Sequence, residues 1–216
     1  TRDTDLITFC EDKVLKILSN KDALYNADGT QNLTATNRVL GQAQPFVGEH
    51  GISKNPESFA SEAYRVYFTD KQRGAVLRLS RDGLTPISDY GLKDYFKDTF
   101  NEVDPDSFMI GSYDASKSLY NITLDINMYD DHKGPTVSFR EKNNGWTSFK
   151  SFTKETGFSL NNIYYTANAG ELWRHHDESV ERNSYHYIDT DPNSLTFEQA
   201  TGLRNSESSI TVLFNS

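Results

Sequence analysis

The densest set of metal-ligating side chains in the sequence is His175-His176-Asp177-Glu178, with His186 close behind it. A metal centre needs such groups to converge on one point. Neighbouring residues on a strand point to opposite faces, so adjacent histidines do not converge. No H-E-x-x-H or comparable spacing supplies the missing geometry, and the cluster reads as a solvated strand edge. Asp104 with Asp106, and Asp130 with Asp131, offer hard oxygen ligands for calcium. Neither pair sits in a D-x-D-x-D-G loop, so both read as turn formers. Neither a metal nor a cofactor is expected.

Hydrolysis of a sugar needs two carboxylates flanking the bond, and nothing among the 31 acidic residues singles out a pair. A tyrosine nucleophile with an arginine cluster is the other route. Arg65, Arg73, Arg78 and Arg81 do concentrate in one short stretch. Strand alternation nevertheless puts Arg78 on a solvated face, and the four read as surface arginines. No G-x-S-x-G elbow, phosphate-binding loop or dinucleotide fingerprint occurs, and Gly111-Ser112 and Gly202 are isolated. Cys10 is the only cysteine; it lies in a strand-like run and reads as a small buried thiol. No catalytic residue is assigned, and the chain is not expected to be an enzyme. Trp146, Phe149, Trp173 and Tyr164, with Phe152 and Tyr165 nearby, suit either subunit contacts or sugar stacking.

The elements that carry these residues are organised around residues 51–90. A tight turn, Gly51-Ile52-Ser53-Lys54-Asn55-Pro56, precedes an alternating strand at 64–70. The turn Lys71-Gln72-Arg73-Gly74 leads to a second strand at 75–80, and Arg81-Asp82-Gly83 leads to a short apolar run at 84–87. Strand, glycine turn, strand, Asp-Gly turn, strand is a strong antiparallel signal. Residues 6–18 form a similar hairpin about Glu11-Asp12-Lys13, and 19–38 read as a long polar insertion with a turn at Asn26-Ala27-Asp28-Gly29. Leu92, Tyr95, Phe96, Thr99 and Phe100 fall at helical spacing, which predicts one short helix over 91–101.

Asp104-Pro105-Asp106 ends that helix. A third unit follows at 106–152, with strands at 108–113, 119–128, 136–141 and 146–152 and a two-residue hairpin turn at Asn143-Asn144-Gly145. A fourth, at about 160–214, has strands at 163–166 and 171–176, another at 185–188, a turn at Asp191-Pro192-Asn193 and a last strand at 209–214. Hairpins therefore recur from Leu6, Tyr64, Phe108 and Ile163 at intervals of roughly 45 to 58 residues, a spacing that suits propeller blades. The expected fold is all-β, an irregular β-propeller-like domain with blade-like units at about 6–38, 51–90, 106–152 and 160–214; a β-sandwich also accommodates spaced short strands.

Composition narrows the partners. Of 216 residues 36% are hydrophobic and 12% aromatic, enough to exclude a disordered chain. A net charge of -9 argues against gripping a nucleic-acid backbone, because that requires clustered Lys and Arg. No stretch approaches the ~20 apolar residues of a membrane span, and no signal peptide is evident. The chain opens at Thr1 and stops at Phe214-Asn215-Ser216, just after an apolar strand, so both ends are expected to continue in a longer protein.

Several runs resemble a known family. Gly51-Ile52-Ser53-Lys54-Asn55-Pro56-Glu57-Ser58 resembles the Gly-x-x-x-x-Pro-x-Ser element of tail-nozzle proteins of short-tailed phages. Further resemblance lies in Tyr67-Phe68-Thr69-Asp70-Lys71-Gln72-Arg73-Gly74, Gly111-Ser112-Tyr113-Asp114 and Gly145-Trp146-Thr147-Ser148-Phe149-Lys150-Ser151-Phe152. It extends to Ile163-Tyr164-Tyr165-Thr166 and Gly170-Glu171-Leu172-Trp173. Together these look most like the structural nozzle or "muzzle" protein of crAss-like phages of gut Bacteroidales, over about residues 6–216. The motifs are structural. The resemblance implies a virion tail subunit, several copies of which close a ring around the DNA exit channel. Its implied partners are further copies of itself, portal-proximal ring proteins and fibres, the remainder of its own chain, and DNA passing without sequence-specific contact. A receptor- or glycan-binding tail module using Trp146 and Trp173 is the alternative expectation.

Overall fold

A computed structural model of the chain describes residues 5–103, 107–126, 134–150, 152–177, 184–188 and 200–205. They fall in two units, Thr1–His175 and His176–Ser216. The described residues are mostly strand with one α-helix, and every strand pairing among them is antiparallel, so the all-β expectation holds.

The first sheet runs in the order β1 (Leu6–Phe9), β2 (Val14–Tyr25), β3 (Gln31–Pro45). Cys10 N–H donates to the Lys13 carbonyl across the expected turn, where Cys10 is half-buried in the turn itself rather than inside a strand. The expected polar insertion is instead strand: β2 and β3 continue as a long ribbon that bends back, so that Gln44 near its root donates to the Tyr25 hydroxyl at 3.2 Å. Its tip is the expected turn, with Gly29 N–H on the Asn26 carbonyl and Thr30 N–H on Asp28 Oδ1. Polar residues on both faces leave no alternation to read, which hid these strands.

The second sheet is β4 (Ala60–Ser61), β5 (Val66–Asp70), β6 (Ala75–Ser80) and β7 (Gly83–Pro86), in that order. Its two central strands are covered on both faces. Phe68, Ala75, Leu77 and Leu79 pack toward the first sheet with Val14 and Ile52. Tyr67 and Val76 pack the other way, with Met109, Tyr120, Ile122 and Phe139. Helix α1 (Lys93–Glu102) adds Phe96 and Phe100 to this second core.

The third sheet is the meander β8 (Phe108–Asp114), β9 (Leu119–Ile126), β10 (Thr136–Arg140), β11 (Gly145–Lys150). The expected two-residue turn before β11 is replaced by four residues. A 3-10 turn, Glu141–Asn143, is followed by Asn144 in the left-handed region at φ 45°, and Arg140 pairs with Gly145. The fourth sheet is β12 (Thr156–Leu160), β13 (Ile163–Asn168), β14 (Glu171–Arg174). Here two-residue turns with two positive φ values do occur, at Asn161-Asn162 and Ala169-Gly170.

In the second unit β15 (Ser184–Ile188) pairs with β16 (Ala200–Asn205). The expected turns at 104–106 and 191–193, the segment 127–133 and the final strand at 209–214 lie outside the described residues.

Within the first unit the leading strands of the second, third and fourth sheets are neighbours. β8 lies beside β4 and the 3-10 turn Pro56–Ser58, and β12 lies beside β8. Two glycines permit the approach. A Cβ on Gly111 of β8 would collide with the Ser58 carbonyl, and one on Gly157 of β12 would meet the Ser112 side chain and Tyr164 hydroxyl at 2.9 Å.

Candidate functional site

The residues with the most chemical potential gather between the second and third sheets. In the β5–β6 register Tyr67 stands opposite Arg78, and that face of the sheet meets the third sheet. Arg78 is therefore turned inward and only 13% exposed, which corrects the expectation of a solvated position. Alternation places it correctly beside Tyr67; what alternation lacks is the second sheet covering that face.

Glu141, at the start of the turn between β10 and β11, receives both. Arg78 Nη1 donates to Glu141 Oε2 at 2.8 Å, and the Tyr67 hydroxyl donates to Oε1 at 2.8 Å. Arg65 adds its Nε at 3.6 Å from the same carboxylate while its Nη1 donates to Glu62 at 3.3 Å. The Tyr67 ring stacks on Tyr120 at 4.8 Å and faces Tyr113 at 6.1 Å. Burial, then the bond to Glu141 and its charge, push the Tyr67 phenol far above its ordinary range. Burial opposes the charge on Arg65, but Glu141 and Glu62 outweigh it and raise the guanidinium's affinity for its proton.

A tyrosine, a carboxylate and two arginines are the ingredients of a tyrosine-nucleophile glycosidase. The geometry spends them on one another. Tyr67 is 1% exposed and donates its hydrogen bond to a carboxylate already held by Arg78. The arrangement fastens the second sheet to the third.

Other groups behave alike. Asp70 is fully buried and accepts from Ser53 Oγ at 2.9 Å, Gly51 N–H at 3.3 Å, Arg73 N–H at 3.2 Å and Arg73 Nη1 at 3.1 Å, with His50 Nδ1 at 3.2 Å. Ser53, His50 and Asp70 have the composition of a catalytic triad. The serine, however, donates to the aspartate rather than to a histidine nitrogen, so nothing activates it. Asn55 reaches the third sheet with both ends of its amide, accepting Met109 N–H at 3.1 Å and donating to the Met109 carbonyl at 2.9 Å.

Lys154 was not singled out by its sequence context, yet it is fully buried between β8 and β9. Its Nζ donates to Ile110 O at 2.8 Å, Thr123 Oγ1 at 2.7 Å and Asn121 O at 3.4 Å. Burial, with Lys150 adding to it, holds the ammonium well below the ordinary lysine range. A lysine with a lowered pKa is a candidate nucleophile, but Lys154 lines neither cleft described below.

Two clefts flank the two-residue strand β4. One, of about 840 Å³, is lined by Phe59, Glu62, Tyr113, Ser118, Phe158 and Ser159 among others. The other, of about 920 Å³, has an apolar floor of Ile7, Phe9, Val66 and Leu79 below Arg65 and Arg81.

The aromatic candidates are separated. Trp146 is a core filler: it packs against Phe96 at 4.6 Å and Phe139 at 5.3 Å, and its Nε1 donates to the Ile87 carbonyl at 3.0 Å. Phe149 is exposed, edge-on to Tyr95 at 5.3 Å. Trp173 is 47% exposed on β14, the edge of a different sheet. Tyr164 is buried, with its hydroxyl 2.6 Å from Ser112 Oγ and its phenol pushed up to about 12, chiefly by burial. A stacking platform shared by Trp146 and Trp173 is not formed.

His175 lies between Phe152 and Tyr164, and its Nε2 is 2.8 Å from Thr166 Oγ1. Glu178 lies outside the described residues, and His186 is described only as part of β15. Among the described residues no group of three or more His, Cys, Asp or Glu is placed to hold a metal ion. Among the described residues no helix is long and apolar enough to cross a membrane.

No protein-family model matches the chain, and no curated protein is similar to it.

Proposed function

We propose that the chain is a structural component of a bacteriophage virion tail, building part of a nozzle or muzzle ring around the DNA exit channel. In this reading its sheets are blades of an irregular β-propeller, and its role is mechanical rather than catalytic. The observation that carries the proposal is where the reactive side chains go. Tyr67, Arg78 and Glu141, and the Asn55 amide, each tie one meander to the next instead of opening onto a cleft. Stacked four-stranded meanders with adjacent leading strands are the building plan of propeller blades. An acidic chain suits a channel through which DNA slides without adhering. The ring would be completed by further copies, and portal-proximal proteins, fibres and the rest of the chain would adjoin it.

Electron microscopy of the source particle tests this, with copy number counted from symmetry. Density for the chain in a closed ring at the tail tip supports the proposal. A peripheral fibre, or a free monomer, overturns it.

The glycan-binding alternative keeps one supporting observation, which lies away from both tryptophans. Phe158, stacked on Tyr165 at 5.7 Å, borders the hydroxyl-lined cleft that also carries Glu62. Saturation-transfer NMR with host surface glycans, lost on Phe158→Ala, would favour that reading.

A further inference from the structure

The third sheet has two unlike faces. One packs Tyr120, Ile122, Val137 and Phe139 into the core shared with the second sheet. The other is polar: the register sets Ser112 and Ser138 on either side of Asn121, and Lys150 beside Thr136, two residues along. The fourth sheet reaches this face through the Tyr164 hydroxyl, 2.6 Å from Ser112 Oγ, and Asn121 and Ser138 are fully buried. Buried polar atoms are normally paired. Here one is left over.

It belongs to Asn121. The Asn121 Oδ1 accepts from Ser138 Oγ at 2.6 Å and from Lys150 Nζ at 3.2 Å. Its buried Nδ2 has no hydrogen-bond partner among the described residues. Donors crowd the oxygen and nothing holds the nitrogen. A resting amide gains little from that imbalance, but acyl transfer requires it. The Ser138 hydroxyl polarises the carbonyl and is placed to steady an oxyanion. The unheld Nδ2 is a free leaving group, and the amine lies one bond away from the carbon it would attack.

The surroundings favour the same chemistry. Burial lowers the Lys150 pKa; the Asp114 charge opposes this and Arg140 adds to it, and the net direction is down. An amine that gives up its proton readily is the nucleophilic form of lysine. Burial raises the Tyr164 phenol, while bonding from the Ser112 and Asn121 side chains draws it partly back. That hydroxyl therefore stays protonated beside the Asn121 amide.

We propose that Lys150 and Asn121 join in an intramolecular isopeptide bond that the folded chain forms by itself. Nζ of the neutral Lys150 amine attacks Cγ of Asn121, and the carbonyl electron pair moves onto Oδ1 against the Ser138 hydroxyl. When the carbonyl re-forms, the Cγ–Nδ2 bond breaks. One Nζ proton ends on Nδ2, with the Tyr164 hydroxyl placed to relay it, and one ammonia leaves for each amide formed. No oxidant, reductant or cofactor is consumed. The bond ties β9 to β11 across β10, joining residues 29 apart in sequence, so β11 cannot be peeled from the sheet. It goes beyond the ring reading and does not depend on it.

Mass spectrometry of the denatured intact chain, then of its protease digest, tests this after the folded chain has been incubated to constant mass. The expected mass is one ammonia below that of the sequence, with a branched peptide joining the Asn121 segment to the Lys150 segment. Lys150→Arg, checked for folding by circular dichroism, should keep its full mass. Ser138→Ala should form the bond about 10²-fold more slowly, the usual cost of losing one oxyanion donor. An unchanged chain that keeps its full mass overturns the proposal. So does an ammonia loss that persists in Lys150→Arg, or one that yields no branched peptide.

Discussion

Replacing Asn55 by alanine should remove one of the strongest ties between the second and third sheets. The side chain is 3% exposed, and both ends of its amide bond the backbone of Met109. Met109 has no partner in the β8–β9 register, which skips from Phe108 to Ile110. Asn55 thus stands in for a missing strand. Alanine would leave a buried N–H and a buried C=O unpaired, at about 1–3 kcal/mol each, or about 2–6 kcal/mol in all. Urea denaturation measures this as a lower midpoint at unchanged slope. Asn55→Asp adds a sign that alanine lacks. Its carboxylate keeps the bond from Met109 N–H but sets a second oxygen against the Met109 carbonyl. The folded state then favours the protonated acid, so the deficit relative to the unchanged chain should narrow as pH falls toward the ordinary carboxylate range. An alanine variant within about 0.5 kcal/mol of the unchanged chain, the range of an ordinary surface substitution, would refute the reasoning.

Glu141→Ala strands the largely buried Arg78 guanidinium and should cost about 3–5 kcal/mol, with Glu141→Gln milder; a double-mutant cycle with Arg78→Met reads the coupling. At Lys154 burial holds the pKa well below the ordinary lysine value, so the folded state gives up its proton before the unfolded one and stability rises with pH until the unfolded lysine titrates near ~10.4. Lys154→Met should abolish that rise, of at most about 1.4 kcal/mol per pH unit, in denaturation curves taken between pH 8 and 10. At Asp5 burial raises the pKa, but the Ser19 N–H and the lysines outweigh it and leave the carboxyl below its ordinary value. Its contribution is present above about pH 3.9 and lost as pH falls further, so Ser19 amide exchange should accelerate there, and Asp5→Asn should blunt the change.

Turn chemistry and alternation are local, and at 6–18, 64–80, 108–126 and 163–174 they make the hairpins legible from residue order alone. Helix α1 is legible for the same reason, since its apolar residues keep helical spacing over three turns. β4 and β12 leave little trace in residue order: the one has only two residues, and the other is a five-residue strand whose Gly157 serves a neighbouring sheet.

The sequence by itself determined an antiparallel β protein, its principal turns, its acidic balance and the absence of recognisable catalytic spacing. Tertiary structure alone decided which faces are covered. Alternation groups Tyr67 with Arg78 but says nothing of the sheet that lies across them, so a surface arginine became half of a buried ion pair. Lys154 became a buried lysine of lowered pKa by the same means, and Trp146 a core filler on a different sheet from the exposed edge where Trp173 lies. Sequence periodicity records the company a side chain keeps on its own strand; its solvent, charge state and partners belong to the neighbouring sheet, whose approach depends on contacts 50 or more residues away, such as Asn55 with Met109.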